Sequence, residues 1–155
     1  MEKSKTYIER SEKFGAHNYK PLPVVLEKAE GAWVWDVDGN KYMDMLSAYS
    51  ALNHGHRHPK IVERAKKQLD KVALVSRAFY AEKLAEFNER ITKLSGYDMT
   101  LPMNSGAEAV ETAIKLIRKW AYTVKKIPRH EAEIIVCSDN FHGRTTTIIS
   151  FSTEE

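Results

Sequence analysis

The sequence has a single cysteine, Cys137, and one thiol builds neither a disulfide framework nor a cysteine-based zinc site. That scarcity fits a reducing compartment. No apolar run reaches the roughly 20 residues that a bilayer-spanning helix needs. The opening residues leave no room for the apolar core of a secretory signal, because Glu2, Lys3, Lys5, Glu9, Arg10, Glu12 and Lys13 interrupt them. A cytoplasmic protein that stays out of membranes is the expectation. A strong excess of one charge is also absent: 24 Lys and Arg against 21 Asp and Glu leave a formal net charge of +3, with both signs interleaved. A basic stripe for nucleic acid is therefore not expected.

The chain does have an apolar fraction of 43% over 155 residues, the size of one ordinary domain with a core. Tyr7, Ile8 and Phe14 among charges predict a helix over residues 3–14, ended by Gly15. Pro21 and Pro23 make the next segment an extended connection. Trp33 and Trp35 on one face, an Asp38-Gly39 turn, and Tyr42 and Met43 on the return predict a β-hairpin. A loop follows, closed by Pro59 at the first turn of a helix carrying Ile61, Val62, Ala65, Leu69 and Val72. Leu84, Phe87, Ile91 and Leu94 mark another helix, stopped by Gly96. The clearest helix carries Val110, Ala113, Ile114, Ile117, Ala121 and Val124 on one stripe. Glu108 and Glu111 lie near its start and Lys115, Arg118, Lys119, Lys125 and Lys126 toward its end, as the helix dipole favours. Residues 99–103, 133–139 and 145–151 are apolar enough to read as strands, the second burying Cys137. Helices alternating with short apolar strands predict an α/β fold with a largely parallel sheet, here unfinished because too few strands are present.

Three stretches invite chemistry. In "NSGAEAVE", Ser105 and Glu108 have the spacing of a capping box, which needs no ligand. The same Ser105, with the N–H groups of Gly106 and Ala107, also suits a phosphate at a helix N-terminus. "NFHGR", residues 140–144, places an aromatic ring, an imidazole, a glycine and a guanidinium in a loop after an apolar run. There Phe141 is either a core residue or a cover for a planar ring, and Arg144 either a surface charge or a grip on a carboxylate. His54, His56 and His58 alternate in "HGHRH"; a metal cluster is the weaker reading, since no carboxylate or thiol is adjacent and His58-Pro59 suits a helix entry. Tyr19 and Tyr49 sit in loops among polar residues, able to donate phenolic hydrogen bonds to a substrate or to close a packed rim.

The succession "GAHNY…PLP", "AWVWDVDGNKYMDMLSAYSA", "GHRHPKI", "SRAFY", "LPMNSGAEAVETAIKLIRKW" and "NFHGRT" resembles the N-terminal part of the ornithine aminotransferases, class III pyridoxal-phosphate enzymes of fold type I. The resemblance covers roughly residues 6 to 153, and His54 stands where glutamine is expected in the family. It implies an incomplete fold type I α/β structure, with residues 1–45 belonging to the small domain and 46–155 to the first part of the cofactor-binding large domain. It further implies that Ser105, Gly106 and Ala107 hold the phosphate of pyridoxal 5′-phosphate, that Phe141 stacks on its ring with His142 alongside, and that Arg144 binds the substrate α-carboxylate. Tyr19 and Tyr49 would line the pocket so that the δ-amino group of ornithine reacts. The substrates implied are an amino acid and a 2-oxo acid, the assembly a homodimer, and neither a metal nor a catalytic residue is assigned within this stretch. The lysine that holds the cofactor aldehyde and the acid that pairs with its ring nitrogen lie, in the family, beyond Glu155, so the isolated chain is expected to be inactive. The alternatives are a class III enzyme for acetylornithine or 4-aminobutyrate, and a non-catalytic remnant that associates with an intact subunit.

Overall fold

Alternation at Trp33, Val34, Trp35 and Asp36 organises the first part of the chain. In the computed structural model, which describes residues 2–152, these residues form a strand between two others. The sheet runs β1 (Leu26–Glu30), β2 (Trp33–Asp36), β3 (Lys41–Met43), with β2 antiparallel to both neighbours. Val34 and Asp36 point to the buried side, while Trp33 and Trp35 share the other face. On that face the Lys41 ammonium lies 4.0 Å from the Trp33 ring centre, and the Lys28 ammonium 4.8 Å from that of Trp35.

The turn between β2 and β3 is organised by Asp36. Its Oδ1 accepts from the N–H groups of Asp38 at 3.0 Å and Asn40 at 2.8 Å, and its Oδ2 accepts from Asn40 Nδ2 at 2.8 Å and Tyr42 OH at 2.7 Å. A buried carboxylate with this many donors is satisfied without a counter-ion. Asp38 faces the other way and receives Ser4 Oγ and the N–H groups of Lys3 and Ser4, capping helix α1 (Glu2–Phe14) from a distant part of the chain. Gly15 ends α1 as expected, its N–H 2.7 Å from Ser11 O.

After β3 the chain makes one helical turn of inverted hand, α2 (Ser47–Ser50). Ser47, Ala48, Tyr49 and Ser50 have φ of 49°, 48°, 55° and 69°. None is glycine, and left-handed backbone costs such residues about 1–2 kcal/mol each. Helix α3 (Pro59–Leu69) then starts on Pro59.

The chain divides between Phe79 and Tyr80 into two compact units. The second unit holds α4 (Glu82–Ser95), ended by Gly96 at φ 77°, then α5 (Gly106–Thr123) and the short α6 (Thr146–Ile149) packed on it. Ile114, Ala121 and Ile148 form the buried seam of this unit.

Family-level expectations for the fold hold: helices plus a small sheet fit an incomplete fold type I α/β fragment. The individual strands do not all form. Residues 99–103 and 133–139 have no regular secondary structure, and part of the third predicted strand is helix α6. A strand exists only beside a ladder partner, and among the described residues none pairs with these segments. The sheet observed is antiparallel, not parallel, and Cys137, expected to be buried, is exposed along with Ile135.

Two outcomes are expected. Ile148→Ala removes the most buried large side chain and should cost about 2–5 kcal/mol in denaturant unfolding, whereas Leu74→Ala at an exposed position should stay within about 0.5 kcal/mol. The Asn40 amide foremost, then Tyr42 OH and the turn N–H groups, holds the Asp36 carboxyl below the usual carboxylate range. A depressed folded pKa means that this contribution is present above about pH 4 and lost as pH falls through the folded value. Asp36→Asn should therefore flatten the acid limb of a stability-versus-pH curve.

Candidate functional site

Helix α5 opens in a way its sequence explains. Ser105 is extended at φ −144° and ψ 163°, and its Oγ accepts the Glu108 N–H at 3.2 Å. Glu108 turns back, and its Oε2 accepts the Asn104 N–H at 2.9 Å. The Ser105 half of the capping box thus forms, while Glu108 reaches the N–H one residue before the cap, which draws its carboxylate toward the preceding loop. It does not use up the helix mouth. Among the described residues, no acceptor receives the N–H groups of Gly106 and Ala107, the Ser105 hydroxyl hydrogen is free to donate, and a Cβ on Gly106 would meet nothing within 4 Å. Unpaired donors at the positive end of a helix, with room beside Gly106, suit a phosphate.

The loop 140–144 is held against this mouth. Gly143 has φ +122°, and a Cβ there would lie 2.9 Å from Ala107 Cβ, so only glycine lets the loop come this close. One turn further along, Thr145 Oγ1 donates to Glu111 Oε1 at 2.5 Å. Asn140 braces the loop from within: its Nδ2 donates to Cys137 O at 2.6 Å and Phe151 O at 2.7 Å, and its Oδ1 lies 2.7 Å from His142 Nδ1. Phe141 is exposed, with the Arg144 guanidinium carbon 5.8 Å from its ring centre. No carboxylate among the described residues pairs with Arg144, so its fork of donors is open to an anion. The loop carrying Phe141, His142 and Arg144 therefore abuts the mouth formed by Ser105, Gly106 and Ala107.

In the other unit Tyr19 and Tyr49, thirty residues apart in sequence, meet with their hydroxyls 2.9 Å apart. Both rings are exposed. The three histidines separate in role. His56 Nε2 donates to Asp44 Oδ2 at 2.6 Å, while His54 and His58 meet edge to face with ring centres 6.4 Å apart. They border a cleft of about 590 Å³ with Arg57 and Glu63, but among the described residues no group of three His, Cys, Asp or Glu side chains is placed to hold a metal ion. The Ser47 N–H foremost, then His56, holds the Asp44 carboxyl below the usual range.

Sequence reasoning passed over Asp44, Glu111 and Asn140. Asn140 carried a usable signal, an Asx residue opening a tight loop. The His56 partner of Asp44 and the Thr145 partner of Glu111 lie across space, and no local pattern marks them.

The family described as aminotransferase class-III matches residues 14–155. The ornithine aminotransferase of Brevibacillus brevis is 63% identical over 155 residues, 100% of this chain and 39% of the relative. That of Halalkalibacterium halodurans is 60% identical over 148 residues, 96% of this chain and 37% of the relative. The chain thus spans 37–39% of the length of these relatives. Among solved structures, the ornithine aminotransferase of Toxoplasma gondii, described with partial occupancy of PLP at its active site, superposes with a TM-score of 0.94 at 40% identity, covering 97% of this chain and 35% of that one. An acetylornithine aminotransferase from Elizabethkingia anophelis is 62% identical with a TM-score of 0.83, covering 88% of this chain and 36% of that one.

The geometry separates two glycines experimentally. Gly106→Ala should leave unfolding free energy unchanged or raise it by up to about 1 kcal/mol, since the site is open and alanine is the better helix former. Gly143→Ala should lower it by about 1–3 kcal/mol, because the added methyl meets Ala107. Equal effects at the two positions would contradict the packing described.

Proposed function

The chain belongs to the class-III aminotransferases, and from that premise we propose that it is the N-terminal part of an ornithine aminotransferase, which passes the δ-amino group of ornithine to a 2-oxo acid and yields glutamate 5-semialdehyde. One observation supports the reading most: the loop with Phe141 and Arg144 is pressed against the start of α5, which brings the residues proposed for the phosphate and for the carboxylate into one unit. Pyridoxal 5′-phosphate, when bound, supplies the electron sink for amino transfer. The chain's own residues bind and orient. Ser105, Gly106 and Ala107 take the phosphate, Phe141 covers the ring with His142 beside it, and Arg144 takes the substrate α-carboxylate.

Anchoring the α-carboxylate decides which amine reacts, because a diamine held at one end presents the other. We assign Tyr19 and Tyr49 to substrate recognition, their paired hydroxyls offering polar contact without charge. The likeness to an acetylornithine aminotransferase keeps a second substrate in view, and that reading shares every cofactor contact. In the family's division, residues 1–45 would belong to the small domain and the rest to the large one, within a homodimer. Lys115 and Lys119 lie roughly 14 and 20 Å along α5 from Gly106, so neither is assigned the cofactor aldehyde. The 155-residue polypeptide tested alone is expected to turn over no ornithine.

The test uses an active protein that contains this chain, supplied with 2-oxoglutarate and ornithine, N-acetylornithine or 4-aminobutyrate. Ornithine is expected to give the highest kcat/KM, and Arg144→Ala to lower it roughly 10- to 100-fold, the worth of a charge-assisted hydrogen bond. N-acetylornithine turned over as well as ornithine would contradict the substrate assignment.

A further inference from the structure

The inverted turn that carries Tyr49 has no local cause. Ser47, Ala48, Tyr49 and Ser50 include no glycine or asparagine, yet all four stand at positive φ. Backbone of this kind persists only where its surroundings over-determine it. Those surroundings centre on Asp44. Its Oδ1 accepts the N–H groups of Leu46 at 3.0 Å and Ser47 at 2.9 Å, which fixes the entry to the turn. Its Oδ2 receives His56 Nε2 at 2.6 Å, with the two side chains only 17% and 18% exposed.

Both partners are fastened to adjacent residues of the β1–β2 connection. Asp44 N donates to Ala32 O at 2.8 Å, His56 N donates to Gly31 O at 2.8 Å, and Gly31 N returns a bond to His56 O at 2.9 Å. Gly55, at φ +77°, permits this approach: a Cβ there would stand 3.1 Å from Gly31 O. Residues 45–55 are thus a closed-neck loop of the Ω kind, with the Asp44–His56 bond as its clasp and Tyr49 near its middle. Leu52 N donates to Ser47 O at 3.0 Å across the loop, so the entry that Asp44 fixes is coupled to the exit that His56 fixes.

We propose that Asp44 and His56 are positioning residues whose bond closes this neck and thereby holds Tyr49 in its inverted turn, with its hydroxyl against that of Tyr19. The inference deepens the assignment of Tyr19 and Tyr49 to substrate recognition and rests on it for its meaning in specificity. A hydrogen bond that served stability alone would leave the tyrosine pair indifferent to its removal. A positioning pair makes the tyrosine contact depend on it.

Photo-oxidative dityrosine formation reads the contact directly. In the 155-residue chain, with no cofactor or substrate present, the Tyr19–Tyr49 cross-link is quantified by peptide mass spectrometry, with Tyr19→Phe as the blank. His56→Phe and Asp44→Ala are expected to lower its yield about tenfold, the population change for losing a charge-assisted hydrogen bond. His56→Gln, whose amide nitrogen can occupy the place of Nε2, should restore it. Val34→Ala, a core substitution in the same unit, should lower thermal stability while leaving the yield unchanged below its melting temperature. Wild-type yield in folded His56→Phe or Asp44→Ala chains would overturn the proposal. Should those two variants fail to fold, a folded His56→Gln chain lacking the cross-link would overturn it equally. Because neither cofactor nor ornithine enters the assay, its failure is distinguishable from failure of the aminotransferase reading, which turnover tests separately.

Discussion

An α-helix leaves the N–H groups of its first turn without intrahelical partners, and the functional reading of this chain depends on where α5 leaves its own. Ser105 and Glu108 satisfy two donors of that region by capping, which secures the helix start. Among the described residues no acceptor receives those of Gly106 and Ala107, and a Cβ on Gly106 would meet nothing within 4 Å. A capping box and an anion site are commonly treated as rivals for the same sequence. Here the two are compatible, because Glu108 bonds back to Asn104 and is drawn away from Ser105, Gly106 and Ala107.

The same logic of backbone N–H groups satisfied by side chains recurs in the other unit. Asp38 caps α1 across more than thirty residues, Asp36 fills the hairpin turn, and Asp44 holds the neck of the loop that carries Tyr49. Three aspartates between β2 and α2 therefore act on main-chain N–H groups. Their value lies in fixing loops whose own residues have little preference, which is how a segment containing Ser-Ala-Tyr-Ser comes to stand in a left-handed turn.

How far the fold can be read in the sequence follows from where its causes lie. Helix α5 was legible because its stripe, its dipole-ordered charges and its cap are all local, and Gly96 and Pro59 mark the end of α4 and the start of α3 for the same reason. The β2–β3 hairpin was legible from alternation around Asp38-Gly39. Strand β1 was not, since Leu26–Glu30 has almost no alternation and exists through its pairing with β2. Residues 133–139 look like a buried strand by composition, yet a strand is a property of two segments, and no described segment lies beside this one. For the site, the motif residues Ser105 to Ala107 and Phe141 to Arg144 were identifiable by type and spacing. The contact between Gly143 and Ala107, the Thr145–Glu111 bond and the Asp44–His56 bond required coordinates.

The proposed function turns on one contact, that of a phosphate monoester with the mouth of α5. Pyridoxine 5′-phosphate has the cofactor's ring and phosphate but no aldehyde to react with surface lysines, and pyridoxine lacks the phosphate as well. Amide ¹H–¹⁵N spectra of the chain, titrated with each compound, test the contact directly. Saturable shifts are expected at Gly106 and Ala107 with the phosphate ester and none with pyridoxine. Equal shifts with both compounds, or shifts that leave Gly106 and Ala107 unmoved, would contradict it.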